Sequence, residues 1–382
     1  MFHHHGRRVG ALAAAGLVAA ALVACSPPSD SGSSGSGSSG TGGADAATAT
    51  SAKDLGGMDA LVAAANKEGA LNVIALPPDW ANYGEVIKAF EAKYPGIKVT
   101  SDQPDASSAD EIATAKRLKG QSGAPDVFDL GATVALANTD MFAKYKVATW
   151  DDIPADLKDP DGVWVNDYGG YMSIGYDSAK VPAPTSVDDL LKPAYKGKVA
   201  LNGNPTEAGA AFAGVQMVSL SQGGTVGDLT KGVEFFGKLK DAGNFLPVDP
   251  TPATVESGQT PVVIDWDYLN AALTAKLPSW KVFVPENAVV AGFYYQAVNA
   301  DAPHPAAARL WQEFLYSDQG QNLWLKGGAR PVRFDAMKTA GTLDTAAAAA
   351  LPEVKGTPVI PTQADAEAGK KYLAANWANA VG

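Results

Sequence analysis

The stretch "AGFYYQAVNADAPHPAAARLWQEFLYS", Ala291 to Ser317, carries the local pattern on which the fold depends. Its first nine residues form a short run rich in aromatic and apolar types, which reads as a strand. Ala302-Pro303-His304-Pro305 is a proline-bounded turn, and the alanine-rich segment behind it reads as a helix. The same order recurs at "PVVIDWDYLNAAL" (Pro261 to Leu273) and at "KGKVALNG" (Lys196 to Gly203), which runs into a helix opened by Pro205 or Thr206 and reaching Leu220. Upstream, a helix from Met58 to Lys67 closes at Gly69 and leads into the strand "LNVIAL" (Leu71 to Leu76). A helix from Tyr83 to Tyr94 sets Tyr83, Val86, Ile87, Phe90 and Tyr94 on one stripe, and a helix from Glu111 to Lys119 precedes the strand "DVFDL" (Asp126 to Leu130). Strands alternating with helices predict an α/β chain with largely parallel sheets covered on both faces.

Composition removes several classes of function. The 382 residues carry 30 basic and 41 acidic side chains, a net charge of −11, which argues against nucleic acid as a partner. Arg7 and Arg8 precede an apolar run from Gly10 to Ala24, the pattern of a secretory leader. That run is shorter than the roughly 20 residues a spanning helix needs. The single cysteine, Cys25, ends Leu22-Val23-Ala24-Cys25, which resembles the bacterial lipobox and implies lipid attachment there. From Ser26 to about Ala52 the chain is mostly Gly, Ser, Ala and Thr, a spacer unable to bury enough apolar surface to order itself. Beyond Cys25 the only histidine is His304, expected on a surface loop. No Cys/His zinc site is therefore expected, and a Cys–His or Ser–His catalytic pair would have to use His304. No phosphate-binding glycine motif stands between a strand and a helix. Neither an enzyme nor a cofactor is expected.

Four stretches carry a resemblance. "FEAKYPGIKV" (Phe90 to Val99), "APDVFDLG" (Ala124 to Gly131), "YKGKVALNGNP" (Tyr195 to Pro205) and "APHPAAARLWQEFLYSDQGQNLWLKGGARPVR" (Ala302 to Arg333) resemble extracellular solute-binding proteins of ABC importers. The branch they resemble holds polyamine, ferric iron and aminoethylphosphonate binders. The resemblance implies two α/β lobes, each a mostly parallel sheet flanked by helices, with the solute enclosed between them. Strands would cross near "GYMSIGYD" (Gly170 to Asp177) and "VVAGFYYQAV" (Val289 to Val298). The expected organisation is a signal peptide at 1–24 and a lipidated linker at 25–55. Lobe one would be 56–172 with 290–335, and lobe two 173–289 with 336–382. The expected partners are a small solute, a permease and its ATPase, and the membrane through the lipid. The chain is expected to act as a monomer on the outer face of the cytoplasmic membrane, or in a periplasm.

Candidate ligand residues follow from loops and strand ends. "LPPDWANYGE" places Asp79, Trp80 and Tyr83 after the first strand, and Trp80-x-x-Tyr83 resembles an aromatic pair of polyamine binders. In "VVIDWDYL", Asp265 and Asp267 would share one face of an extended strand, with Trp266 on the other. Two such carboxylates repel unless a cation lies near them, and Trp266 or Tyr268 could add a cation–π contact. Tyr294 and Tyr295 lie beside the second crossing, where only one is expected to face the cleft. They suit a hard cation such as ferric iron. Asn204, Thr206 and Glu207, at a helix start, could present backbone amides to an anion such as a phosphonate, with Glu207 as a poor neighbour for it. Aromatic residues among carboxylates favour an organic amine such as putrescine or spermidine. A reading of another class is a secreted glycoside hydrolase using Asp265 and Asp267, which would need two carboxyls about 5 Å or 6.5–9.5 Å apart across a sugar.

Overall fold

The structure is a computed structural model that describes residues 45–382. The leader, Cys25 and most of the spacer lie outside the described residues. The end of the expected linker is not free. Ala49 is buried, and the Arg309 guanidinium donates from Nε to the Ala49 carbonyl at 2.8 Å and from Nη2 to the Ala47 carbonyl at 2.9 Å. Arg309 is 1 % exposed, and a guanidinium with so many donors must find acceptors where it is buried. The main chain of 45–49 supplies two, and the Pro305 carbonyl, at 3.0 Å from Nη1, a third. Residues 52–55 then form a 3₁₀ turn closed by Gly56, which takes a left-handed φ of 97°. Replacing Arg309 with Met is expected to speed amide exchange and proteolysis over residues 45–51 and leave the rest of the domain protected. Unchanged protection of that segment would contradict this account of the docking.

The domain opens with α1 (Met58–Glu68), capped by Gly69 at φ 70°, and β1 (Ala70–Ile74). Helix α2 (Tyr83–Lys93) buries Tyr83, Val86 and Phe90 at helical spacing, and its Phe90 ring meets Trp311 edge-on at 5.1 Å. Strand β2 (Lys98–Asp102) pairs parallel with β1, Ala70 opposite Lys98. Helix α3 (Ser108–Leu118) starts on a reciprocal cap in which Ser107 and Asp110 satisfy each other's backbone amides. Strand β3 (Val127–Leu130), α4 (Ala132–Leu136) and β4 (Phe142–Ala143) complete the first block.

Strand β5 (Val165–Asp177) is thirteen residues long and mostly buried. After it come β6 (Val199–Leu201), α5 (Gly209–Ser221), α6 (Thr230–Asp241), α7 (Pro252–Glu256), β7 (Val262–Trp266), α8 (Asp267–Ala272) and β8 (Trp280–Phe283). Strand β9 (Ala291–Asn299) leads into α9 (Pro305–Leu315), α10 (Asp318–Lys326), β10 (Arg330–Pro331), α11 (Phe334–Ala340), α12 (Thr345–Ala349) and α13 (Gln363–Val381). The main sheet has the order β3-β9-β5-β7-β6. The first half of β5 pairs with β9, and its second half, from Met172, pairs with β7 and β8. One strand thus serves both blocks, and β9 returns antiparallel beside it. For that reason, among the described strands, parallel ladders are formed by β1–β2 and β6–β7, and the sheets are more mixed than the alternation of elements predicts. The result is a two-lobed α/β architecture joined through β5 and β9.

The segment just after the expected boundary at 335/336 packs on α10. Met337 and Leu343 pack on Leu325 of α10, and Asn322 donates to the Thr342 carbonyl at 2.9 Å. Beyond about 350 the chain crosses over: Val359 bridges Val290, and α13 joins the other block, where Trp377 meets Phe236 of α6 at 5.1 Å. The division we propose therefore keeps residues up to about 350 with lobe one. Among the described residues no helix is long and apolar enough to cross a membrane.

Candidate functional site

A cavity of about 690 Å³ is walled by loops at the carboxyl ends of strands and by the starts of helices, the usual position for a ligand in open α/β sheets. Trp80 comes from the loop after β1, Glu111 from the first turn of α3, and Asp129 from β3. The opposite wall brings Asn202 and Glu207 from the β6–α5 loop and Trp266 from the end of β7, and β9 supplies Tyr294 and Tyr295.

The aromatic wall is held by contacts behind it. Trp80 donates its indole N–H to the Tyr168 hydroxyl at 2.8 Å, and its ring stands edge-on to Tyr294 at 5.7 Å. Tyr294 in turn stacks on Tyr168, with ring centres 5.5 Å apart and planes 14° from parallel. Across the cavity Trp266 stacks on Tyr268, 7° from parallel. Gly292 of β9 lies against the Trp266 ring so closely that a Cβ there would overlap it. Gly292→Ala is accordingly expected to push the indole out of place and weaken solute binding by about tenfold, the magnitude of one displaced aromatic contact. Unchanged affinity with intact folding would show that the solute does not touch Trp266.

The floor is acidic. Asp129 is 7 % exposed; its Oδ2 receives a long bond of 3.4 Å from the Tyr168 hydroxyl, and its Oδ1 has no hydrogen-bond partner among the described residues. Glu111, 1 % exposed, accepts the Asp129 backbone amide at 3.3 Å. Behind them Asp167, fully buried, accepts from the Tyr168 amide at 2.6 Å and from Gln296 Nε2 at 3.0 Å. Burial pushes the Asp129 carboxyl up to about 7, and burial with the neighbouring Asp129 charge pushes Glu111 and Asp167 well above the carboxylate range. Asp105, Asp156 and Glu207 add carboxylates around the cavity, and Lys370 is the single basic side chain among its described lining residues.

The residues expected from the sequence separate into two groups. Trp80, Thr206, Glu207, Trp266, Tyr294 and Tyr295 line the cavity, both tyrosines included. Asp79, Tyr83, Asp265, Asp267 and Tyr268 do not. Asp79 is exposed at the loop tip. Tyr83 packs under the floor and accepts from Gln296 Nε2 at 3.0 Å. The expected pairing of Asp265 with Asp267 fails because β7 ends at Trp266 and a helix starts at Asp267, so strand alternation no longer holds. Asp265 accepts from Asn202 Nδ2 at 2.8 Å and from the Trp266 amide at 2.8 Å, while burial raises it to about 7. Asp267 turns away to Arg330 and the Tyr171 amide. Tyr268 backs Trp266. His304 is not a free loop residue either: it precedes α9, and its ring and amide both bond Asp126, at 2.9 and 2.7 Å. Thr206 spends its amide and hydroxyl on Asn204 Oδ1, at 3.1 and 2.9 Å. Glu111 and Asp129 were not among the expected residues. Their signal was an acid inside the apolar strand "VFDL", a position where a carboxylate is costly without a partner.

Comparison with known proteins agrees with this architecture. The structure of the periplasmic binding protein P5PA is similar over 82 % of this chain and all of that one, with a TM-score of 0.64 at 18 % identity. A putative spermidine/putrescine ABC transporter from Listeria monocytogenes aligns over 80 % of this chain and 98 % of its own, with a TM-score of 0.59 at 11 % identity. The ferric binding protein from Campylobacter jejuni aligns over 81 % and 99 %, with a TM-score of 0.59 at 18 % identity. At these identities the likeness is one of fold. No curated protein matches the chain in sequence. The family described as bacterial extracellular solute-binding protein matches residues 121–364, well over half of the chain. A two-lobed body with a walled cavity and that match lead to one conclusion: the chain belongs to the bacterial extracellular solute-binding proteins.

Proposed function

We propose that the protein is the lipid-anchored receptor of an ABC importer and that its solute is a cationic amine of the polyamine class. One observation carries the choice of solute. The cavity sets five carboxylic side chains against one lysine, and the most buried of its aspartates, Asp129, has a buried oxygen without a partner among the described residues. A buried carboxylate in that state is stabilised by an arriving ammonium group, and the faces of Trp80 and Tyr294 add cation–π attraction of roughly 0.5–2 kcal/mol. Contacts from both walls are made together only when the cavity is closed around the solute, so binding favours the closed form. That form is the one a permease would recognise.

The other solutes fit less well. An anion would meet Glu207 and a Thr206 amide already committed to Asn204. Ferric iron favours phenolate ligands, yet burial and the nearby Asp129 charge hold the Tyr294 phenol well above its usual range. The hydrolase reading loses its carboxylate pair, since Asp265 and Asp267 enter separate networks.

A thermal-shift panel of putrescine, spermidine, 2-aminoethylphosphonate, ferric citrate and glucose tests the assignment. A solute at a hundredfold excess over its Kd stabilises by about 2.7 kcal/mol, a readily measured rise in melting temperature. Amines are expected to produce it. A rise with the phosphonate alone would overturn the amine assignment. For the anchor, Cys25→Ser is expected to shift the processed protein from the membrane fraction to the soluble one, and equal membrane retention would contradict lipidation there.

A further inference from the structure

Three buried carboxyl groups lie in or just behind the cavity floor with no counter-ion among the described residues. Glu111 comes from α3, Asp129 from β3 and Asp167 from β5, with exposures of 1, 7 and 0 %. None of the ion pairs among the described residues includes any of them. The other titratable groups facing them are neutral phenols: Tyr83 from α2, Tyr168 from β5, Tyr268 from α8, Tyr294 from β9 and Tyr316 after α9. Beyond Tyr268 lie the buried Asp265 and Asp267, the latter with its Arg330, and the charged groups that share the cavity lining are Asp105, Asp156, Glu207 and Lys370. The few donors present go mainly to Asp167, which takes the Tyr168 amide, Gln296 and a long bond of 3.4 Å from the Tyr83 hydroxyl, while among the described residues the Asp129 carboxyl receives the long Tyr168 bond.

We propose that solute capture at this site is an exchange of cation for proton: Glu111, Asp129 and Asp167 together hold at least one proton in the ligand-free protein, and an ammonium group arriving at Asp129 expels it to solvent. The inference rests on the cationic-amine reading. Three buried like charges without a cation are mutually costly, and the cheapest relief in the free protein is a proton shared within the cluster. An ammonium at the Asp129 carboxylate supplies the missing positive charge, which makes that proton surplus. Asp129 lines the cavity, so the proton has a route out. The raised carboxyls of all three residues agree with the geometry. The receptor would hold its amine at neutral pH and release it as the surroundings acidify.

Titration calorimetry of the full chain with putrescine in buffers of different ionisation enthalpy reads the exchange directly. The expected result is about one proton released per putrescine near pH 7 and an affinity that falls up to tenfold per pH unit below that. Heat of binding with no buffer dependence, and an affinity flat from pH 5.5 to 8, would overturn the exchange and leave the amine reading standing. No heat with any amine at any pH would sink both. A ligand-independent check is carboxyl ¹³C NMR of the free protein: at least one of Glu111, Asp129 and Asp167 is expected to titrate above pH 6. Titration of all three below pH 5 would overturn the proposal whatever binds.

Discussion

Asp129→Asn is expected to cost at least thirtyfold in affinity for putrescine while making the ligand-free protein more stable to heat. The binding loss follows from removing one member of a buried charge pair, which costs about 2–5 kcal/mol, most of it from leaving the other charge uncompensated. The gain in stability has the opposite origin. An acid whose carboxyl sits at about 7 in the folded chain and near 3.9 in the unfolded one favours unfolding wherever the unfolded chain has ionised and the folded one resists. The penalty is absent below about pH 4, grows as pH rises towards 7 and levels off above it. Asn removes it. The melting temperature at pH 8 should therefore rise by about 2–5 °C, and the variant should lose that part of the wild-type decline in stability between pH 5 and 8. Isothermal titration and scanning calorimetry measure the two effects. Full binding by the variant would contradict the role of Asp129. A fall in both affinity and melting temperature would show that it holds the floor together instead of receiving a cation.

Arg330→Met is expected to destabilise the fold by about 3–5 kcal/mol, because it leaves the Asp267 carboxylate buried without its partner. Asp267 is fully buried, and its other bond of 2.9 Å, from the Tyr171 amide, cannot neutralise it. The same guanidinium lies over the Tyr171 ring at 4.6 Å and donates to the Pro352 carbonyl at 3.0 Å, so it ties β10 to α8 and to the chain crossing towards α13. Urea titration should show the midpoint falling with an unchanged slope. The double variant Arg330→Met with Asp267→Asn should recover much of the loss, since it removes the orphaned charge. Equal stability of the single and double variants would contradict this account.

How much of this was legible depends on whether a residue's partners lie near it in sequence. The strand-to-helix passages at β7–α8 and β9–α9 are local, set by a change of apolar period and by Pro305, and the sequence shows them. Trp80 and Trp266 were legible for a similar reason, since each ends a strand or opens a loop where ligand walls form. Arg309 illustrates what was hidden. It reads as one charge in an alanine-rich helix, and two of its acceptors lie about 260 positions away, in a segment whose composition says spacer. The acidic floor was hidden in the same way: Glu111 and Asp129 are 18 positions apart, and Asp167 comes from the crossing strand. Asp265 and Asp267 misled because the rule of alternation was carried one residue past the end of a strand.

The most direct measurement is a crystal structure of the protein with putrescine. It is expected to place one ammonium nitrogen about 2.7–2.9 Å from Asp129 Oδ1, against the faces of Trp80 and Tyr294. An ammonium seated elsewhere in the cavity, with Asp129 Oδ1 still unpartnered, would contradict the account.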